Sequence, residues 1–188
     1  MLDTWMEKIR RYGRGDCGET FLLTGEKIWK DDLRLEVLGG LDELSAFIGL
    51  ARTVIEESNV CSILEEIQED LFIIGYRIQL AGEVREDLDE EIKKSLETLE
   101  SWVKEYESKL PVLRKFIFPS GHKSAAVLHV ARAVARRVER RLVTLSKRES
   151  IKPEIMAYMN RISTLLFLLA RYINLEKGYK EKEWAGKL

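Results

Sequence analysis

Cysteine, histidine and proline are all scarce in this chain of 188 residues, with two Cys (Cys17 and Cys61), two His (His122 and His129) and three Pro. Two cysteines make neither a zinc site nor a disulfide framework, which points to a reducing, cytoplasmic setting. Long apolar runs are missing too. The longest, Leu165–Ala170, is six residues, against the roughly 20 that a helix needs to cross a bilayer. The charged start, Met1–Arg11, has no apolar signal core. Nor is there an excess of one charge, since 31 Lys and Arg face 32 Asp and Glu for a formal net charge of −1. That balance disfavours a surface coated for nucleic acid, although charged residues at 34% leave room for a local patch. Three Asn and two Gln, in a chain rich in Glu, Lys and Arg, fit a heat-adapted source. What remains is one soluble domain, long enough to bury about 70% of its unfolded surface without a covalent or metal staple.

Apolar residues then recur at spacings of three and four along five stretches, from Leu38 to Ile55, Leu64 to Ala81, Leu88 to Tyr106, Val127 to Leu145 and Ile155 to Ile173. The pattern predicts five amphipathic helices of roughly 20–28 residues, rods of about 30–40 Å. Short links between long rods favour antiparallel neighbours. The expected fold is therefore all-α, a five-helix up-and-down bundle over residues 33–176. A glycine-rich N-terminal arm (1–32) precedes it, and a polar tail (177–188), expected to fray, follows. Pro111 and Pro119 flank a short extended piece, Leu113–Phe118.

The arm reads Tyr-Gly-Arg-Gly-Asp-Cys-Gly-Glu-Thr from Tyr12 to Thr20. Gly13, Gly15 and Gly18 satisfy G-x-G-x-x-G, but no strand precedes them and no helix opens inside the motif, as a dinucleotide fingerprint requires. A phosphate loop needs Lys where this chain has Glu19. What the arm does offer is backbone N–H groups free to turn towards an anion, with Arg14 as a cation and Thr20 as a hydroxyl. Asp16 is placed to orient a cation or a metal-bound water. A plain surface loop is the competing reading.

The fourth predicted helix carries R-A-V-A-R-R-V-E-R-R from Arg132 to Arg141. On a helical projection its apolar stripe spans about 80° of arc. His129, Arg132, Arg136 and Arg140 fall on the opposite side, joined by His122 if the helix begins that early, while Arg137 and Arg141 flank the stripe. Three Arg at successive i, i+4 positions repel one another by a few tenths of a kcal/mol per pair. Glu139 relieves part of this, and a polyanion across the face would relieve more. Guanidinium matches phosphate oxygens in a bidentate way, which favours a polyphosphate over a single carboxylate. A solvated basic face and a nucleic-acid surface are the alternatives. Near-zero net charge and the lack of interleaved aromatics weigh against the second. No Glu-x-x-His pair accompanies the two His, which argues against a di-iron bundle site.

Several segments together resemble the ATP:cob(I)alamin (corrinoid) adenosyltransferases of the PduO type. They are Gly15-Asp16-x-Gly18-x-Thr20 with Thr24-Gly25-Glu26 and Lys30-Asp31-Asp32, then Gly39-x-x-Asp42-Glu43-Leu44-Ser45-x-x-Ile48-Gly49 and Leu71-Phe72-x-Ile74-Gly75. Phe116-Ile117-x-Pro119-Ser120-Gly121 follows, running into Leu128-His129-x-x-Arg132-x-x-x-Arg136-Arg137-x-Glu139-Arg140. The last is Tyr158-x-Asn160-Arg161-x-Ser163-x-x-Leu166-Phe167-x-x-Ala170-Arg171. In order and with sensible spacing, they cover about residues 12–172.

The resemblance implies a homotrimer of five-helix bundles with sites between subunits. It also implies transfer of the 5′-deoxyadenosyl group of ATP, carried with Mg²⁺, to the cobalt of reduced cobalamin, leaving triphosphate. Co(I) is itself the nucleophile, so no Cys–His or Ser–His–Asp arrangement is needed. The protein has to align the 5′ carbon with cobalt and stabilise charge on the leaving group. By resemblance, Arg14, Gly15, Asp16, Gly18, Thr20, Lys30, Arg136, Arg137, Glu139, Arg140 and Asn160 would bind the nucleotide. Arg132 and Asp42 would form an ion pair that supports cobalamin binding and transfer, and Phe116 would crowd out the lower axial ligand of cobalt. No protein-ligated metal, nucleic acid or membrane is expected. The chain departs from the family in two places. Tyr12-Gly13-Arg14 stands where Thr-(Lys/Arg)-Thr is usual, and Thr164 stands where an acid usually follows the serine. A non-catalytic ATP-binding or regulatory module, or a helical interaction protein, are the competing functions.

Overall fold

The computed structural model describes residues 15–80, 82–83 and 85–186. It contains a two-stranded antiparallel ribbon, β1 (Glu19–Phe21) and β2 (Lys27–Trp29), followed by five helices. These are α1 (Leu33–Val54), α2 (Ser58–Gln79), α3 (Glu86–Ser108), α4 (Lys123–Ser146) and α5 (Pro153–Glu176). Local chemistry sets their ends. The Asp32 carboxylate caps α1 by accepting from Arg34 N at 2.8 Å. Pro153 opens α5 at a position where its missing N–H costs nothing. Glu86, Asp87 and Asp89 complement the positive end of α3.

Each helix packs against two others, so the five close into a ring in the order α1, α2, α3, α5, α4. Contacts along each seam fix the directions. Arg52 meets Glu65 across α1 and α2, and Arg77 meets Asp89 across α2 and α3. Val54 O accepts from Ser124 Oγ at one end of the α1–α4 seam, while Arg34 reaches Glu149 at the other. Those pairs are antiparallel. α3 and α5 run parallel, as Arg161–Glu100 and Arg171–Pro111 contacts require. This is the expected up-and-down bundle, with a core that includes Leu44, Ile67, Leu99, Leu142 and Leu166. Three of the four links between helices are short. The fourth, residues 109–122, joins α3 to α4 over the end of α5, which lies between them in the ring.

Two regions differ from expectation. The arm carries the β1–β2 ribbon, whose three-residue strands are too short to show alternation in sequence. The tail does not fray. Phe118 N donates to Lys182 O at 2.9 Å and Trp184 N to Phe116 O at 2.7 Å, so residues 177–186 return along the long link. The backbone supplies this pairing, which a polar composition does not advertise.

Candidate functional site

The long link, the returning tail, the first turns of α4 and the middle of α5 enclose a cleft of about 830 Å³. Its walls are mainly apolar and include Leu113, Phe116, Ile117, Pro119, Phe167 and Trp184. Arg171, buried on α5, ties the two strands of this wall together. Its Nε contacts both Glu181 carboxylate oxygens at 3.1 Å, its Nη2 donates to Pro111 O at 2.9 Å, and its guanidinium lies 5.9 Å from the Phe167 ring centre. The other end of the link is pinned at Gly121, whose φ of 124° and position against the Asn174 side-chain amide leave no room for a Cβ. Asn174 accepts from His122 N and donates to Ser120 O, both at 2.9 Å.

His129 and Arg132 line the cleft from α4. The sequence projection put His129 on the solvent side of this helix, and the structure corrects that. α4 packs against both α1 and α5, so its buried arc is wider than its apolar stripe, and His129 is only 4% exposed against Phe167. His122 does not join the arginine face either; it caps α4 through Nδ1, 3.4 Å from Ser124 N. Burial, then the Arg132 cation, pushes the His129 pKa down to about 4, so the imidazole is neutral at neutral pH. Burial, then Arg136, also lowers the pKa of Arg132. Among the described residues, both His129 ring nitrogens and Arg132 Nε are buried without a hydrogen-bond partner. Arg132 sits over Phe167 at 5.9 Å.

One and two turns further along α4, Arg136 and Arg140 are exposed, with Arg140 Nη1 donating to Arg136 O at 3.1 Å. The flanking Arg137 and Arg141 are instead neutralised by Glu43 and Glu36 of α1. Glu139 does not bridge the arginines. It accepts from Asn160 Nδ2 at 2.7 Å, which brings two of the expected residues together across the α4–α5 seam. Asp42 is exposed on α1 and makes no ion pair with Arg132 among the described residues.

Of the expected arm residues, Arg14 lies outside the described residues. Gly15 O accepts from Lys30 Nζ at 2.6 Å, and Gly18 turns the chain with a φ of 81° and bonds back to Gly15 O at 3.2 Å. Asp16 is exposed, and Thr20 pairs with Ile28 in the ribbon. Arg34, at the start of α1, holds this region at the end of the bundle where α4 finishes, by bonding Glu26 and Glu149. The cleft is at the other end. No cluster of three or more metal-ligating side chains occurs among the described residues. No helix there is long and apolar enough to cross a membrane.

Sequence reasoning missed Trp184 and Arg171 as parts of the site and misplaced His129. The buried Arg171 was visible in its motif, but the tail it holds has no periodicity to announce it.

An apolar cleft with a few convergent polar groups, set between helices of a bundle, has the makeup that small-molecule sites share. Comparison with known proteins gives it a family. The sequence model of the cobalamin adenosyltransferase family matches residues 11–173. The corrinoid adenosyltransferase of Bacillus subtilis is 38% identical over 175 residues, 90% of this chain and 89% of that protein. The human corrinoid adenosyltransferase MMAB is 37% identical over 176 residues, 89% of this chain and 70% of that protein. Among solved structures, a variant PduO-type ATP:corrinoid adenosyltransferase from Lactobacillus reuteri, complexed with cobalamin and ATP, aligns with a TM-score of 0.85 at 29% identity. That alignment covers 94% of this chain and 99% of the other. This chain belongs to the cobalamin adenosyltransferase family.

Proposed function

We propose that this chain transfers the 5′-deoxyadenosyl group of ATP to the cobalt of reduced cobalamin, making adenosylcobalamin and releasing triphosphate. The carrying observation is the position of Arg132. It lines the apolar cleft with a buried, unpartnered Nε, and Arg136 and Arg140 continue from it along the same helix into solvent. A corrinoid in the cleft and a triphosphate along α4 would meet at this residue.

Reduced cobalamin brings its own nucleophile, so the protein's work is to align, dry and stabilise. The apolar walls exclude water from the reacting centre. Phe116, 73% exposed on the long link, presents its ring to the cleft and is suited to crowding the lower axial face of cobalt. Arg136 and Arg140 provide the donors that stabilise charge on the departing triphosphate and its Mg²⁺. Arg137, Glu139 and Asn160 frame the same surface. The orphaned polar atoms of His129 and Arg132 suit the cleft to a ligand with polar groups on an apolar body.

The described part of the proposed nucleotide-binding arm (Gly15, Asp16, Gly18, Thr20 and Lys30) sits at the far end of α4 from the cleft in its own chain. A homotrimer with sites between subunits resolves this, because the arm of one copy would cover the arginine face of the next. The same arrangement would let Asp42 of one copy pair with Arg132 of another. An anaerobic assay with ATP and chemically reduced cobalamin, followed by the absorbance of adenosylcobalamin, tests the activity. Turnover that disappears in Arg132→Ala and Arg136→Ala supports the reading. ATP binding without turnover points instead to a nucleotide-binding relative, which the altered Tyr12-Gly13-Arg14 segment and Thr164 would explain. Sedimentation of a monomer, with full activity, would remove the trimer.

A further inference from the structure

We infer that Arg161, anchored on Glu100, is a positioning residue for the nucleotide: it fixes which way the Asn160 amide faces and so orients the contact this amide makes with ATP. The inference rests on the proposed role of Asn160 at the nucleotide.

Four side chains from three helices form one hydrogen-bonded row. Glu100 of α3 accepts from Arg161 Nε at 3.2 Å, and Arg161 Nη1 donates to Asn160 Oδ1 at 2.9 Å. Asn160 Nδ2 then donates to Glu139 Oε1 of α4 at 2.7 Å. Both neighbours of the amide are one-way groups, since a guanidinium only donates and a carboxylate only accepts. The amide oxygen therefore has to face Arg161 and its nitrogen Glu139. A flip would set donor against donor and acceptor against acceptor. The second N–H and the second lone pair of this exposed side chain are left for a ligand, at fixed places.

Stability does not account for the row. Residues one apart on a helix do not face each other, so Arg161 reaches back to Asn160 rather than meeting it by default. The side chains of Arg161 and Glu100 are 43% and 40% exposed, and a pair so open contributes little to folding. At the other end of the row, Glu139 lies between Arg136 and Arg140 in the sequence of α4. The row thus runs from the outer side of the bundle to the surface proposed for the triphosphate. None of the site residues expected from sequence lies on α3. Through Arg161, that helix acquires a part in nucleotide binding without touching the nucleotide.

The test measures ATP binding by equilibrium dialysis on the full chain without corrinoid, so nothing turns over, and thermal midpoints check that each variant folds. Asn160→Ala is expected to bind ATP about tenfold more weakly than wild type, and Arg161→Ala about fivefold, the sizes of one lost and one misaligned hydrogen bond. The double variant should bind no more weakly than Asn160→Ala alone, because Arg161 acts only through that amide. Glu100→Ala separates positioning from charge. Removing an acid near a polyanion would by itself tighten binding, whereas freeing Arg161 loosens it, by about threefold. Additive losses in the double variant overturn the inference, since Arg161 would then act by its charge. So does Glu100→Ala binding ATP as tightly as wild type or more so, or unchanged binding in Arg161→Ala. Unchanged binding in Asn160→Ala, or a wild-type chain that binds no ATP, overturns the nucleotide role of Asn160, and the inference with it. Weaker binding in Asn160→Ala without any effect of Arg161→Ala overturns the inference alone.

Discussion

Two arginines, Arg77 and Arg132, each bury Nε in the same bundle, to opposite effect. Arg77, 7% exposed between α2 and α3, has its Nε on Asp89 at 2.8 Å, and Lys152 supports the same carboxylate from 3.0 Å. The neighbouring Asp70 is equally satisfied, accepting from Ser95 at 2.6 Å and Tyr158 at 2.7 Å. Arg132, between α4 and α5, has a buried Nε with no partner among the described residues, beside an imidazole in the same state. A buried cation with matched acceptors contributes to holding helices in register. One without them costs stability, and is tolerated where a ligand or a neighbouring copy completes it. Between these two arginines, hydrogen-bond satisfaction, more than charge, separates the scaffold role from the working one.

The contrast is open to attack, beginning with the largest effect. Arg132→Ala should lower kcat/KM for adenosylcobalamin formation by about a thousandfold, as loss of a preorganised donor does, while its thermal midpoint holds or rises. A lowered midpoint with normal kinetics would put Arg132 on the scaffold side. Arg77→Ala should do the reverse, costing about 3 kcal/mol in urea unfolding because Asp89 loses its buried partner, with kcat close to wild type. The third test uses acid. Unfolded His129 has an ordinary pKa of 6.5 and the folded residue one of about 4, so the unfolded chain takes up the proton first. The stability this residue contributes is present above pH 6.5 and lost as pH falls towards 4, about 2 kcal/mol between pH 7 and pH 5. His129→Leu should remove that component from the stability–pH curve; an unchanged curve would mean the imidazole is not buried. The smallest effect belongs to Glu43→Gln, which breaks an exposed pair with Arg137. Stability should move by less than about 0.5 kcal/mol, measured by the same unfolding curves.

The five helices were legible because each buries a stripe that repeats every three or four residues over 18 or 19 positions. His129 was not, because projection on a single helix assumes one buried face, and α4 has neighbours on two sides. Arg136 and Arg140 could be placed on an exposed face from spacing alone. The partners of Arg137 and Lys30 could not, since Glu43 and the Gly15 carbonyl are brought to them by tertiary packing. The tail was least legible. Its attachment depends on two backbone hydrogen bonds and on Arg171, and none of these leaves a pattern in composition.

The stride of residues 109–122 across the end of α5 has a further consequence. Every helix-to-helix seam in the ring is independent of that link, so its outer stretch and the strand that pairs with it form a detachable face on a fixed frame. Residues such as Leu113, Phe116 and Trp184 can be exchanged for others of different shape without disturbing any helix contact. Only Pro111 and the Ser120–His122 stretch, held by Arg171 and Asn174, must keep their backbone course. Such a division allows drift in ligand preference at little cost to folding, and makes 112–119 together with 182–186 the natural ground for redesigning it.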